Sequence, residues 1–262
     1  MIDLHCHLLP DWDDGPVDRA EALRMLAVAR SDGIKKIVMT PHVHRMTKPG
    51  LDLADLRPRM GRFLDGLQTR GVDIYPGAEV SYHRDLVATV KDLGLTVNGS
   101  DYVFIEFPAG SLPEEARELV PRMMLAGLIP IISHPERNTV MSGSPETLYE
   151  MIRQGAIGQL TAQSLTGAFG TRVRTAAEKF LRLGLVHLIA SDAHNSGSRA
   201  PRLSGAVKAA ANCVGAAKAE AMVTTIPAAI LANEQIPDFG EPVNPAMKRR
   251  PFWQARFRGA SG

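Results

Sequence analysis

An α/β fold with a mainly parallel, helix-covered sheet is what this sequence predicts, and three observations predict it. Seven short apolar runs recur along the 262 residues, each of strand length and most rich in Ile, Val, Leu or aromatics. Longer amphipathic runs that read as helices lie between them. No repeat period or low-complexity stretch interrupts the alternation. Strands that alternate with helices in this way pair in parallel, with the helices packed on the sheet. An open doubly wound sheet would hold a ligand at its switch point, and a barrel at the C-terminal ends of its strands. The alternation alone leaves both open.

The runs, in order, are "MIDLH", "IKKIVMT", "VDIYPGAEV", "YVFIEF", "LIPIISH", "AIGQLTA" and "VHLIAS". Asp18 followed by Glu21 is a capping-box-like start for the helical run "RAEALRMLAVARSDG", which Gly33 ends. Residues 52–70 and 171–183 read as further helices, each closing near a glycine. Ser144, Pro145 and Glu146 open another, with proline at the first helical position. Past residue 235 the prolines and glycine of "EQIPDFGEPVNP" interrupt any helix. The expected division is therefore one folded domain over 1–235 and a basic, proline-containing tail over 236–262. That tail is either a loosely packed end or a segment whose Phe252, Trp253 and Phe257 pack on the body or on a partner.

At 45% hydrophobic and 22% charged residues, the composition is that of a soluble globular protein with a sizeable core. The two cysteines, Cys6 and Cys213, are far apart and form no C-x-x-C pair, which points to a reducing compartment. The first residues lack the basic and apolar regions of a signal peptide, and no apolar run is long enough to span a membrane. The expected location is the cytoplasm. Lys248, Arg249, Arg250, Arg256 and Arg258 fall in the last twenty residues with no acid among them; the rest of the chain carries −3 against +2 for the whole. An acidic body argues against a broad nucleic-acid surface.

The eight histidines are informative through their positions. His5 and His7 end the first run, His42 follows the second, His134 ends the fifth, and His194 follows Asp192 past the seventh. Glu79 and Glu106 end the third and fourth. Six of the seven runs thus finish in His, Asp or Glu, and strand ends on one side of a parallel sheet converge. In the pairs His5/His7 and Asp192/His194, the i, i+2 spacing on an extended strand puts both members on one face and turns Cys6 and Ala193 away. Asp13 and Asp14 add carboxylates in the loop that follows. Burying so many imidazoles and carboxylates together without compensation is costly. Cations remove that cost, so the pattern predicts a multinuclear metal site of Zn, Mn or Fe(II) type. His83 and His187 read as structural, since His187 lies within the last run and His83 near a helix start; His44, just past His42 in the same loop, is more open.

Cys6 is not a phosphatase nucleophile by pattern. The arginine required six residues later is Trp12, and for Cys213 it is Ala219. A G-x-S-x-G elbow, a Walker A loop and a Rossmann glycine fingerprint are also absent.

The set "HCH", "DDG", "TPH", "GAEV", "IEF", "SHPER" and "ASDAHN" resembles the polymerase-and-histidinol-phosphatase (PHP) superfamily. More narrowly, "MIDLHCHLLPDWDDGP", "GAEVSYH", "SHPERN" and "QLTAQSLTGAFG" are similar to the manganese-dependent protein-tyrosine phosphatases of bacterial capsule and exopolysaccharide operons. The resemblance implies a distorted (β/α)7 TIM-like barrel with three divalent ions at the strand C-termini, Mn2+ by expectation, with Fe or Zn as alternatives. It implies that His5, His7, Glu79 and Asp192 hold one ion. Glu79 would bridge to a second, held with Glu106 and His134, and Asp14, His42 and His194 would hold a third. Asp13 could stand in for Asp14. Glu106 and Asp14 occupy positions where some members have histidine, which hardens the site toward Mn.

The implied reaction is phosphomonoester hydrolysis by a metal-bridged hydroxide attacking phosphorus in line. Arg137 and Arg199 are the candidates to grip the outer phosphate oxygens, with Arg45 behind them. His44, or a metal-bound water, is the candidate proton donor to a phenolate that already leaves readily. The implied partner is a phosphotyrosine-bearing protein, a bacterial tyrosine kinase of polysaccharide export. The competing readings are a small-molecule phosphatase such as histidinol phosphatase, a phosphodiesterase or nuclease, and a metal-stabilised binding module without turnover.

Overall fold

The computed structural model describes residues 1–246 except Arg45, Gln68 and Arg70. The aromatic tail residues Phe252, Trp253 and Phe257, and Arg45, lie outside the described residues.

Among the described residues nine strands form where seven runs were expected: β1 Ile2–Cys6, β2 Lys36–Met39, β3 His42–Val43, β4 Asp73–Pro76, β5 Glu79–Ser81, β6 Tyr102–Glu106, β7 Ile129–Ile132, β8 Ile157–Thr161 and β9 Leu188–Ala190. The second and third runs each break in two. Pro41 has no N–H to offer a ladder between β2 and β3. Between β4 and β5, a Cβ on Gly77 would sit 2.6 Å from Val38 Cγ1, so only glycine permits that approach. The breaks divide the strands into a sheet β1-β2-β4 and a sheet β3-β5-β6-β7-β8-β9, every ladder parallel. The chain itself carries β2 into β3 and β4 into β5, so the two sheets form one wall. His7 N donates to Ala193 O and Asp192 N to His5 O, both at 2.8 Å, and these bonds join the β1 end to the β9 end. The result is a distorted, all-parallel barrel of seven strand paths.

Alternate strand residues enter two separate cores, as a period of two requires. Ile37, Ile105, Ile132 and Ile189 pack in a cluster with Met25, Met123, Met151 and Phe180 from the helices. Their neighbours Val38, Phe104, Ile131 and Leu188 join a smaller cluster that receives Ile226 and Ile230 of the helix Thr225–Leu231. The Phe104 ring lies 4.9 Å from that of His5, so this smaller core sits directly below the polar cluster described next.

The expected helix starts hold with local differences. Asp18 caps Arg19–Ser31 by accepting from Glu21 N at 2.7 Å. Glu21 does not complete a capping box: its Oε1 accepts from Ser196 N at 2.6 Å and so ties the helix to the loop after β9. Pro145 begins Pro145–Arg153, and Gly184, at φ 67°, ends Thr171–Leu183. The run 52–70 yields a shorter helix, Leu56–Leu64, after a single 3-10 turn at Leu53–Asp55. At the barrel base, Phe239 packs under Lys218 Nζ at 4.2 Å, and Val243 N donates to Leu183 O at 2.8 Å. The start of the expected tail is thus laid against the body. Among the described residues no helix is long and apolar enough to cross a membrane.

Candidate metal centre

The strand ends bring five imidazoles and four carboxylates together at the C-terminal mouth of the barrel. His5, His7, His42, His134, His194, Glu79, Glu106 and Asp192 are all buried, and only Asp14 is exposed. Among the described residues, three sets of candidate ligand atoms are close enough to hold an ion: His7, Asp14, His42 and His194; His5, His7 and Asp192; and His42, Glu79 and Glu106. Glu79 is the hub. Its Oε2 lies 3.3 Å from His5 Nε2, 3.5 Å from His7 Nε2 and 3.1 Å from His42 Nδ1, and its Oε1 lies 3.2 Å from His134 Nε2. On the other side, Asp14 Oδ1 lies 3.3 Å from His194 Nε2 and 3.5 Å from His42 Nε2.

The backbone contributes to this convergence. His134 and Asp192 both sit in the left-handed region, at φ 33° and φ 51°. Such conformations are costly for residues with a Cβ and persist where the surroundings over-determine them. Here they turn both side chains inward at the point where the strand has ended.

Whether these residues fit metal ions can be tested on hydrogen bonding. Glu79 is fully buried, yet among the described residues neither of its oxygens has a hydrogen-bond partner, and the same holds for His42 Nδ1. Buried polar atoms are normally satisfied, and a buried carboxylate with bare oxygens facing four imidazoles suits a bridging cation. The donor set is imidazole and carboxylate without thiolate: Cys6 is fully buried in the apolar cluster, and burial raises its pKa well above the usual range. The residues fit divalent ions of Mn, Fe or Zn type.

Proton affinities follow the same charge balance. Burial opposes the charge on Glu79, but the imidazoles of His5 and His134 outweigh it and hold the carboxyl well below its usual range. Asp192 is likewise lowered against burial, by His7, His5 and Arg199. His42 goes the other way: burial, then the neighbouring His7, pushes it down to about 4. His134 and His194 are also lowered, mainly by burial. His5 and His7 are instead raised against burial, His5 by Glu79 and Asp192 and His7 chiefly by Asp13, so carboxylates and imidazoles hold one another's charge in the cluster, a balance that bound cations would take over.

The two neighbouring aspartates, which the sequence could not separate, differ in place. Asp13 is buried and accepts from His7 Nδ1 at 2.9 Å, from His42 N at 2.8 Å and from Gly15 N at 2.9 Å. Asp14 faces the His42–His194 side. Arg137 and Arg199 both donate to Asp192 Oδ2, the latter at 2.9 Å, and Arg199 Nη1 lies 3.8 Å from Asp14 Oδ2. The Arg137 guanidinium also stands 5.0 Å over the ring of Phe169. His44, at φ 78° and exposed, meets His83 edge to face at 4.0 Å and is in none of the three candidate sets. His83 Nδ1 donates to Ser81 O at 2.9 Å and its Nε2 pairs with Thr89 Oγ1 at 3.0 Å, a structural role. His187 lies at the other end of the barrel, where its Nδ1 accepts from Gly158 N at 3.1 Å.

Sequence reasoning missed Gln159, Glu136 and Asp3. Gln159 is fully buried under His5 and His134. Glu136, two residues past His134, accepts from Thr161 N at 3.0 Å and Ser164 Oγ at 2.6 Å, and burial pushes its pKa up to about 7. Asp3 accepts from Ser191 N at 2.9 Å and so braces the turn that carries Asp192. The i, i+2 alternation with His5 was the available signal for Asp3. None existed for the other two.

A parallel barrel that gathers imidazoles and carboxylates at its strand ends, with guanidinium groups at the rim, defines the class: metal-dependent hydrolases of the PHP type. Within it, the chain belongs to the family described as capsular polysaccharide synthesis, CpsB/CapC, whose model matches residues 1–232. It is 32% identical to the tyrosine-protein phosphatase YwqE of Bacillus subtilis over 255 residues, covering 96% of this chain and 99% of that one. It is 35% identical to the putative tyrosine-protein phosphatase CapC of Staphylococcus aureus over 202 residues, covering 76% and 79%. Among solved structures it superposes with a TM-score of 0.85 and 31% identity on one from the work on YwqE from Bacillus subtilis and CpsB from Streptococcus pneumoniae, described as unique metal-dependent tyrosine phosphatases; the match covers 93% of this chain and 99% of that one.

Proposed function

We propose that this chain is a metal-dependent phosphomonoesterase that hydrolyses phosphotyrosine on proteins. The observation that carries the reading is Glu79: a fully buried carboxylate whose oxygens have no hydrogen-bond partner among the described residues, ringed by His5, His7, His42 and His134. The relatives' activity supports it, as does likeness along nearly the whole chain.

In this reading His5, His7, Glu79 and Asp192 hold one ion, Glu79, Glu106 and His134 a second, and Asp14, His42 and His194 a third. The carboxylate share of the set favours Mn2+. Bound ions would neutralise the phosphoryl oxygens and acidify an attacking water. The chain's own residues do the rest. Asp13 holds His7 with Nε2 toward the cluster. Arg137 and Arg199, steered by Asp192, present donors to the outer phosphate oxygens, where a planar fork suits phosphate. His44, exposed at the mouth, is assigned to proton transfer to the departing phenolate. The substrate protein we assign is a bacterial tyrosine kinase of polysaccharide export. Two unpaired cysteines support a cytoplasmic setting.

A substrate panel on the Mn2+-loaded chain tests this. Turnover of a phosphotyrosyl peptide well above that of histidinol phosphate is expected. The reverse preference makes the chain a small-molecule phosphatase, and turnover of neither leaves only a binding module.

A further inference from the structure

Six of the strand paths end in a histidine or an acid. The remaining one, β8, contributes Gln159, which is fully buried at the heart of the barrel. Its Oε1 lies 3.1 Å from the His134 backbone nitrogen and 3.2 Å from His5 Nδ1. The His134 N–H can only donate, so the atom facing it is the amide oxygen and not the nitrogen. An oxygen acceptor then requires His5 to carry its proton on Nδ1. That leaves the lone pair on Nε2, the nitrogen 3.3 Å from Glu79 Oε2 and 3.7 Å from Asp192 Oδ1. One oxygen thus does two things. It selects the tautomer of His5, and it anchors the backbone of His134 at the residue that adopts φ 33°. A left-handed conformation is uncommon for a residue with a Cβ, and this bond helps to hold it. Among the described residues the amide nitrogen Nε2 has no hydrogen-bond partner, so the oxygen is the atom this site uses. Further along the same strand path, the Thr161 N–H and Ser164 hydroxyl hold Glu136, on the other side of Pro135. The turn from His134 to Arg137 is therefore tied to β8 on both flanks.

We infer that Gln159 is a positioning residue of the metal centre, fixing the His5 tautomer and the His134 backbone through one amide oxygen. The inference rests on the metal reading proposed above. A neutral amide supplies the acceptor that outer partners of metal-bound histidines provide, without adding a further negative charge next to Glu79 and Asp192.

The test compares the parent chain with Gln159→Met, which keeps the shape and removes the acceptor, and Gln159→Glu, which keeps an acceptor. Zn2+ affinity is measured by competition with a chromophoric chelator, and the His5 tautomer by nitrogen-15 NMR of the zinc-loaded chain. Gln159→Met is expected to bind zinc about 10–100-fold more weakly. Gln159→Glu is expected to bind at least as tightly as the parent, with Nδ1 of His5 protonated in both. A folded Gln159→Met with parental affinity overturns the inference. If Gln159→Met does not fold, Gln159→Glu decides: binding weaker than the parent overturns the inference, and equal or tighter binding upholds it. A parent chain that binds no zinc overturns the metal centre itself, and this outcome is distinct from the others.

Discussion

Oδ2 of Asp13 accepts a hydrogen bond from Nδ1 of His7 at 2.9 Å. The contact divides the two adjacent aspartates into an orienting residue and one that faces the cluster. A histidine whose Nδ1–H is held by a carboxylate presents a fixed, more basic Nε2. Asp13→Ala should therefore weaken metal affinity by about 10–100-fold, as Mn2+ competition with a chelator would show. An unchanged affinity in Asp13→Ala would remove Asp13 from the centre.

Arg137 and Arg199 converge on the same oxygen of Asp192 from different loops. If they grip phosphate, truncating either should lower kcat/KM for an aryl phosphate on the order of 10²-fold with metal content unchanged. Arg137→Lys should recover only part of the loss, because an ammonium does not reproduce the planar fork. A fall in bound metal that matches the fall in rate would instead make these arginines supports of Asp192.

Gly158 on β8 lies against the backbone before β9. A Cβ there would come within 2.2 Å of Leu185 O and 3.0 Å of Val186 Cα, and neither is a flexible side-chain end. Gly158→Ala should cost about 3 kcal/mol or more of stability by forcing the strands apart. Chemical denaturation measures this, and a loss below about 1 kcal/mol would mean that the β8–β9 ladder yields more readily than close packing allows.

His187 at the barrel base is held down to about 4 by burial, with Lys218 adding to the effect. The folded state therefore resists a proton that the unfolded chain accepts near 6.5. The resulting stability is present above pH 6.5 and is lost as pH falls toward 4, by roughly 3 kcal/mol at most. His187→Gln keeps an acceptor for Gly158 N and removes the titration. The parent should lose stability relative to this variant across that window in urea titrations. Parallel pH profiles for the two chains would show that His187 titrates normally.

The sequence carried much of the fold because apolar runs, caps and glycines report local structure directly. The site was legible to the extent that its residues are of ligand type at strand ends: His5, His7, His42, Glu79, Glu106, His134, Asp192 and His194 come together as their positions suggested. Their supporting residues were not legible. Gln159 is not a ligand type, and nothing local says that its amide reaches both the end of β7 and β1. Asp13 and Asp14 are indistinguishable in sequence because the turn that parts them is set by hydrogen bonds to His42 N and Gly15 N. The breaks at Pro41 and Gly77 are local in origin, but their effect on which strands pair is tertiary.

The central claim is that the cluster around Glu79 works through divalent ions. It is tested most directly by stripping the purified chain with a chelator, titrating Mn2+ back, and following bound metal and phosphotyrosyl-peptide hydrolysis together. The account predicts that activity vanishes on stripping and returns as about three ions per chain rebind, in step with occupancy. Full activity in a chain shown to be free of metal would contradict it.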